Sequence, residues 1–148
     1  MVDRRRVILG LALVLGIAGF CGCGGSGTGG GITVNFPSVL IGIYAGQMDG
    51  DGTGPLRFYI DPRGGLIGNF RLPPICAGPI QITGTVDPDG NVIITGSGCG
   101  FTFSGTGTLA QTASGSVVYT GSGTWTGSNG TSGTWSATRT GATGAISV

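Results

Sequence analysis

From Val39 onward, apolar and polar residues alternate in short runs, with the period of two that a half-buried strand requires. Turn residues interrupt the runs roughly every 8–12 positions. The spacing predicts eight strands, at about Val39–Gln47, Leu56–Ile60, Leu66–Leu72, Ile80–Val86, Asn91–Gly96, Cys99–Leu109, Ser116–Thr126 and Gly133–Thr140. One face collects Ile41, Ile43, Leu56, Phe58, Phe70, Ile82, Ile94, Phe101, Phe103, Leu109, Val117, Tyr119, Trp125 and Trp135. The other carries Arg57, Arg71, Gln81 and a long series of threonines and serines. No helical stripe competes with this pattern after the N-terminal leader.

Two turns punctuate it. Asp61-Pro62-Arg63-Gly64 and Asp87-Pro88-Asp89-Gly90 place proline where a type I turn needs φ near about −65°, then glycine where a left-handed residue closes a bulged hairpin. A shorter echo sets Gly123-Thr124-Trp125-Thr126 against Gly133-Thr134-Trp135-Ser136. Strands joined in succession by hairpins close into an all-β, antiparallel up-and-down barrel, because closure removes exposed edges. Glycines at Gly68, Gly84, Gly96, Gly105, Gly107, Gly121 and Gly123 fall on the inward face, where they let the sheet bend and give the indoles room. A barrel of this size is filled by its own side chains or holds one small ligand.

Composition narrows the chemistry. Of 148 residues 34 are glycine, yet 39% are hydrophobic and patterned, which favours a folded domain over a low-complexity tract. The chain has no histidine, and its seven basic and six acidic residues are all arginine and aspartate. The usual general bases are therefore missing, along with any Ser-His-Asp, Cys-His or His-ligated zinc site. Only paired aspartates remain for catalysis, and Asp49/Asp51 and Asp87/Asp89 both sit in Gly- or Pro-containing turns. The expectation is a protein that is not an enzyme and has no cofactor or metal. Asp49-Gly50-Asp51-Gly52 has some of the oxygens of a calcium loop, but lacks a third acid and a terminal glutamate and reads as a glycine-rich hairpin. Four arginines scattered after the leader make no basic stripe, so no nucleic-acid partner is expected.

The leader changes the picture most. Arg4-Arg5-Arg6 precedes an uncharged run, Val7–Phe20, that as a helix spans only about 21 Å at ~1.5 Å per residue, short of a ~30 Å hydrocarbon core. A basic start, a short apolar centre and a small-residue exit match a signal peptide over residues 1–22. The exit Phe20-Cys21-Gly22-Cys23 resembles the lipobox of bacterial lipoproteins, and the resemblance implies lipidation at Cys23. An uncleaved signal anchor and an ordinary cleaved signal are the alternatives. Arg4-Arg5-Arg6-Val7-Ile8 resembles a twin-arginine export signal more faintly than a plain basic n-region. Residues 23–38, beginning Cys23-Gly24-Gly25-Ser26, read as the lipidated cysteine and a Gly-rich tether, and residues 39–148 as the barrel domain. Gly24 after the cysteine resembles outer-membrane sorting, which implies an exported chain on the outer membrane facing the periplasm or the cell surface.

Cys76 and Cys99 remain after the leader. In an exported protein an even pair reads as a disulfide. Counting strands puts both cysteines in connections at one end of the barrel. That end also gathers the connections expected to be long, at Asp49–Gly54, Pro73–Pro79 and Gly127–Ser132, whereas the Asp-Pro turns lie at the other. Polar loops on a rigid scaffold favour recognition, so the disulfide end is the expected working face.

Gly42-Ile43-Tyr44 in the first strand and Arg139 in the last resemble the Gly-x-Trp and cross-packing arginine of the calycin barrels (lipocalins, avidins and relatives). That resemblance implies a similar barrel architecture with a cation–π contact across the ring. The sequence thus points to a non-catalytic, lipid-anchored cell-envelope protein acting as a structural or protein-interaction module, held to the membrane by its N-terminal lipid. The alternative is a lipocalin-like carrier of a small apolar ligand, with Phe101, Phe103, Tyr119, Trp125 and Trp135 as the binding wall.

Overall fold

A computed structural model describes residues 35–141. The expected signal peptide, the expected lipidation site Cys23 and most of the expected tether lie outside the described residues. A 3-10 turn, Ser38–Leu40, leads into β1 (Gly42–Gly50), followed by β2 (Gly54–Ile60), β3 (Gly65–Leu72), β4 (Cys76–Val86), β5 (Asn91–Gly98), β6 (Phe101–Gln111), β7 (Tyr119–Gly127) and β8 (Ser132–Gly141). Each strand pairs antiparallel with the next, and β8 returns to β1, closing the barrel. All eight expected strands form in the expected order. Their interiors follow from the alternation: in β2, for example, Leu56, Phe58 and Ile60 are buried while Pro55 and Arg57 are exposed.

Two inward assignments are corrected. In β1 the buried positions are Gly42, Tyr44 and Met48, and Ile41 and Ile43 are only half-buried. The register between β1 and β8 shifts between Ile43 and Tyr44, a β-bulge of the kind that re-aims a strand. Reading the two isoleucines as core ignored the inward glycines, which carry no hydrophobic signal. A Cβ on Gly46 would strike the β8 backbone at Ser136 and Ala137, so the inward phase of β1 alternates large residues with glycine. The second correction is Val117, which is 86% exposed. It lies in a connection, because β7 begins only at Tyr119.

The interior is occupied in two aromatic layers. Nearer the chain's entry, Tyr44 stacks on Phe58 with centroids 5.0 Å apart, and Phe58 meets Trp135 edge-on at 6.1 Å. Nearer the disulfide, Phe70 contacts Phe103 at 4.6 Å and Phe103 contacts Trp125 at 5.7 Å. The Gly-Thr-Trp echo has a geometric purpose here. In the β7–β8 ladder Trp125 lies opposite Gly133, and Gly123 opposite Trp135. An ideal Cβ at Gly133 would come 2.7 Å from the Trp125 indole nitrogen, and one at Gly123 2.5 Å from that of Trp135. Each glycine makes room for the other strand's indole. Both indole N–H groups find acceptors: Trp125 donates to the carbonyls of Asp49 and Thr134 at 3.1 Å, and Trp135 to that of Thr106 at 3.2 Å. Buried donors are thus satisfied.

The turns lace one end shut. The Asp61 carboxylate accepts the backbone N–H groups of Arg63 (2.7 Å) and Gly65 (2.9 Å), and Asp87 those of Asp89 (3.0 Å) and Asn91 (2.8 Å). Hydrogen bonds from the Asn91 side chain and backbone hold the Asp87 carboxyl below its ordinary pKa. Gly64 and Gly90 have φ of 79° and 88°, as bulged hairpins require. Their carbonyls accept the N–H of Val86 (2.7 Å) and Leu109 (2.8 Å). The two turns are therefore equivalent in role as well as in sequence, each tied to the strand that follows the next connection.

Candidate functional site

Cys76, which opens β4, and Cys99, in the β5–β6 connection, form a disulfide with Cα atoms 5.8 Å apart. The pairing and its barrel end agree with the strand count. The loop assignment does not. The longest connection among the described residues is Thr112–Val118 between β6 and β7, at the end opposite the disulfide. Those at the disulfide end are short, because the strands run further than the alternation suggested: β1 continues to Gly50 and β4 starts at Cys76. Long loops therefore do not set the disulfide end apart as a working face.

The aspartates at that end have structural partners. Asp51 accepts the N–H of Ser132 at 2.8 Å and donates its own N–H to the Ser132 carbonyl at 3.0 Å, latching the β1–β2 connection to β8. Among the described residues no three His, Cys, Asp or Glu side chains gather where they could hold a metal ion.

Phe101, Phe103, Tyr119, Trp125 and Trp135 are all buried, but they do not converge on one wall. Of the five, only Phe103 and Trp125 meet ring to ring; Trp135 belongs to the other layer with Phe58. Phe103 packs on Phe70 and Trp125, and Trp135 on Phe58, while Phe101 and Trp125 also border concavities. Two concavities open on the outer face. A depression of about 280 Å³ on the outer wall runs between Ile93, Thr95, Ser104, Thr106, Thr124 and Thr126, and reaches Ile94, Gly105 and Trp125 beneath them. Another, of about 390 Å³, lies by the disulfide end at Ser97, Phe101, Thr102 and Ser128. Their rims are hydroxyl-rich and carry no charge, so they lack the acid–base groups that chemistry requires.

Tyr44 and Arg139 are opposite one another in the β1–β8 register, but the cation–π contact that the calycin resemblance implied is not among the ring contacts of the described residues. The stacking partner of Tyr44 is Phe58, and its hydroxyl donates to the Leu40 carbonyl at 3.1 Å. The Nε of Arg139 is buried without a hydrogen-bond partner, 2.8 Å from where a Cβ on Gly42 would sit. Burial pushes the Tyr44 phenol up to about 12, against the lowering pull of Arg139. A proton held more tightly in the folded state stabilises it below pH 10. Above that, the unfolded chain binds fewer protons, so stability falls as pH rises from about 10 to 12. The expected loss is about 2 kcal/mol, from ~1.4 kcal/mol per unit. Denaturant midpoints measured near pH 9 and 11.5 check it, and Tyr44→Phe should flatten the alkaline limb.

The sequence did not signal the plug at the chain's entry. Leu40 is buried, and the Phe36 ring packs at the Asp61–Gly64 turn, 2.9 Å from the Cβ position of Gly64. Phe36 stands before Pro37 and outside the strands that the alternation predicts, so no strand phase points it inward. No family model matches this chain, and no curated protein matches it either.

Proposed function

We propose that this chain is a non-catalytic, lipid-anchored module of the bacterial cell envelope, attached through Cys23 and presenting a rigid barrel as a structural or protein-interaction element at the outer membrane. The observation that carries the reading is the filled interior. Trp125 and Trp135 occupy the space that glycines on facing strands leave open, so the barrel's inward surface is committed to its own stability. Contact with other molecules then falls to the outer wall, where strands β4 to β8 present threonine and serine almost without charge. Absence of histidine, lysine and glutamate supports the non-catalytic part, and the leader's residues support the anchor.

Native mass spectrometry of protein taken from its own membrane tests this. The expected mass is that of the chain from Cys23 with a diacylglyceryl group and no small apolar passenger. A processed chain without acyl mass would remove the anchor. A retained apolar molecule would replace the module with the carrier.

A further inference from the structure

The end of the barrel opposite the disulfide holds apolar side chains out in water. The Thr112–Val118 connection is braced by its own hydrogen bonds: the Thr112 N–H donates to the Val118 carbonyl at 3.1 Å, the Ser116 N–H to that of Ala113 at 3.0 Å, and the Val118 N–H to the Ser116 hydroxyl at 3.0 Å. Gln111 adds a bond from its amide to the Ser116 carbonyl at 2.9 Å. This frame presents Val117 at 86% exposure and Val118 at 40%. Val39, 45% exposed on the entry turn, lies at the same end of the barrel. Single exposed apolar residues are ordinary, but several at one end of a small domain mark a contact.

What covers them follows from where the chain enters. Asn35 begins the described residues at this end, beside the Asp61–Gly64 turn against which Phe36 packs. Eleven residues lie between Cys23 and Asn35, and read as a glycine-rich tether their mean reach is roughly 19 Å. An anchor at Cys23 therefore holds the barrel by this end, at a mean distance shorter than the strand length of about 30 Å that separates it from the disulfide end. The charge at the rim selects the surface. Asp61, Asp87 and Asp89 outnumber Arg63 and Arg139, which disfavours an anionic surface and fits uncharged headgroups.

We infer that Val39, Val117 and Val118 seat this end of the barrel on the interface of a bilayer with uncharged headgroups, turning the Cys76–Cys99 end outward. The inference rests on the lipid-anchor reading. It makes the braced loop an apolar wedge and fixes the domain's orientation, leaving the hydroxyl-rich wall upright and free.

The test uses the full chain purified from its membrane and reconstituted in phosphatidylcholine–phosphatidylethanolamine vesicles carrying brominated acyl chains. Trp125 and Trp135 are the constant background. Val117→Trp should add emission that is blue-shifted and at least halved by the bromines, whereas Asn129→Trp at the far end should add unquenched emission. Replacing a third of the lipid with phosphatidylglycerol should leave the quenching unchanged or reduce it. Unquenched Val117→Trp emission overturns the docking, whether its wavelength is that of water or of burial against a protein. Quenching that rises with anionic lipid overturns the choice of an uncharged surface. The mass of the same sample separates the two claims: an acylated chain without quenching loses the seat and keeps the anchor, whereas a quenched chain without acyl mass loses the anchor alone.

Discussion

Replacing Trp135 with alanine should destabilise the barrel by about 3–5 kcal/mol, the range for removing a large buried aromatic. The upper part of that range is expected because the strands facing the indole offer little to move in. Gly107, Gly121 and Gly123 line the indole and have no side chains to relax into the void. The substitution also removes the edge contact with Phe58 and the donor to the Thr106 carbonyl. Urea denaturation gives the loss directly, and the melting midpoint should fall by roughly 10–25 °C for a domain of this size. The void should behave as a dry apolar cavity, so benzene at millimolar concentration should restore part of the midpoint in Trp135→Ala and leave the parent unchanged. A loss below about 1 kcal/mol would mean that the interior is loosely packed, and would return weight to the carrier reading.

The second large effect is the disulfide. Cys76 and Cys99 are 23 residues apart, and in the chain-entropy account a crosslink of that span contributes about 3 kcal/mol. Cys76→Ser/Cys99→Ser should lower the denaturant midpoint accordingly, with far-UV circular dichroism unchanged in native buffer. The enclosed segment is β4 and β5, which already pair with each other. The bridge therefore restrains the unfolded chain and is not needed to specify the ladder. Reduction of the parent protein should reproduce the double variant. A variant that loses its β signal without denaturant would show that the crosslink is needed for closure.

Much of the architecture is legible because an outer wall of threonine against an inner face of large apolar residues leaves little choice of phase. β2, β3 and β5 were readable from single lines of alternation, and the Asp-Pro-x-Gly turns fixed where they stop. Legibility fails where glycine occupies the inward phase. In β1 the sequence Ile41-Gly42-Ile43-Tyr44 offers two isoleucines to one tyrosine, and only the close approach of β8 to Gly46 decides for the tyrosine. It fails again at Val117 and Val118, a β-branched pair with strand propensity that the hydrogen-bonded frame of Thr112 and Ser116 holds in a loop. Propensity yields there to side-chain bonds with the backbone. The aromatic residues expected to wall a ligand site were correctly placed inside, but their division into two layers depends on strand stagger, which alternation does not encode.

The joint between β1 and β8 also governs when this protein can become itself. Thr140 bonds to Ile43 across a separation of 97 residues, so the cylinder stays open until nearly the whole domain has been delivered. Until then both outermost strands show unpaired amides and carbonyls, an invitation to pair with other chains. A polypeptide that crosses a membrane in extended form avoids that hazard on the near side, because its last strand arrives only after the first has left.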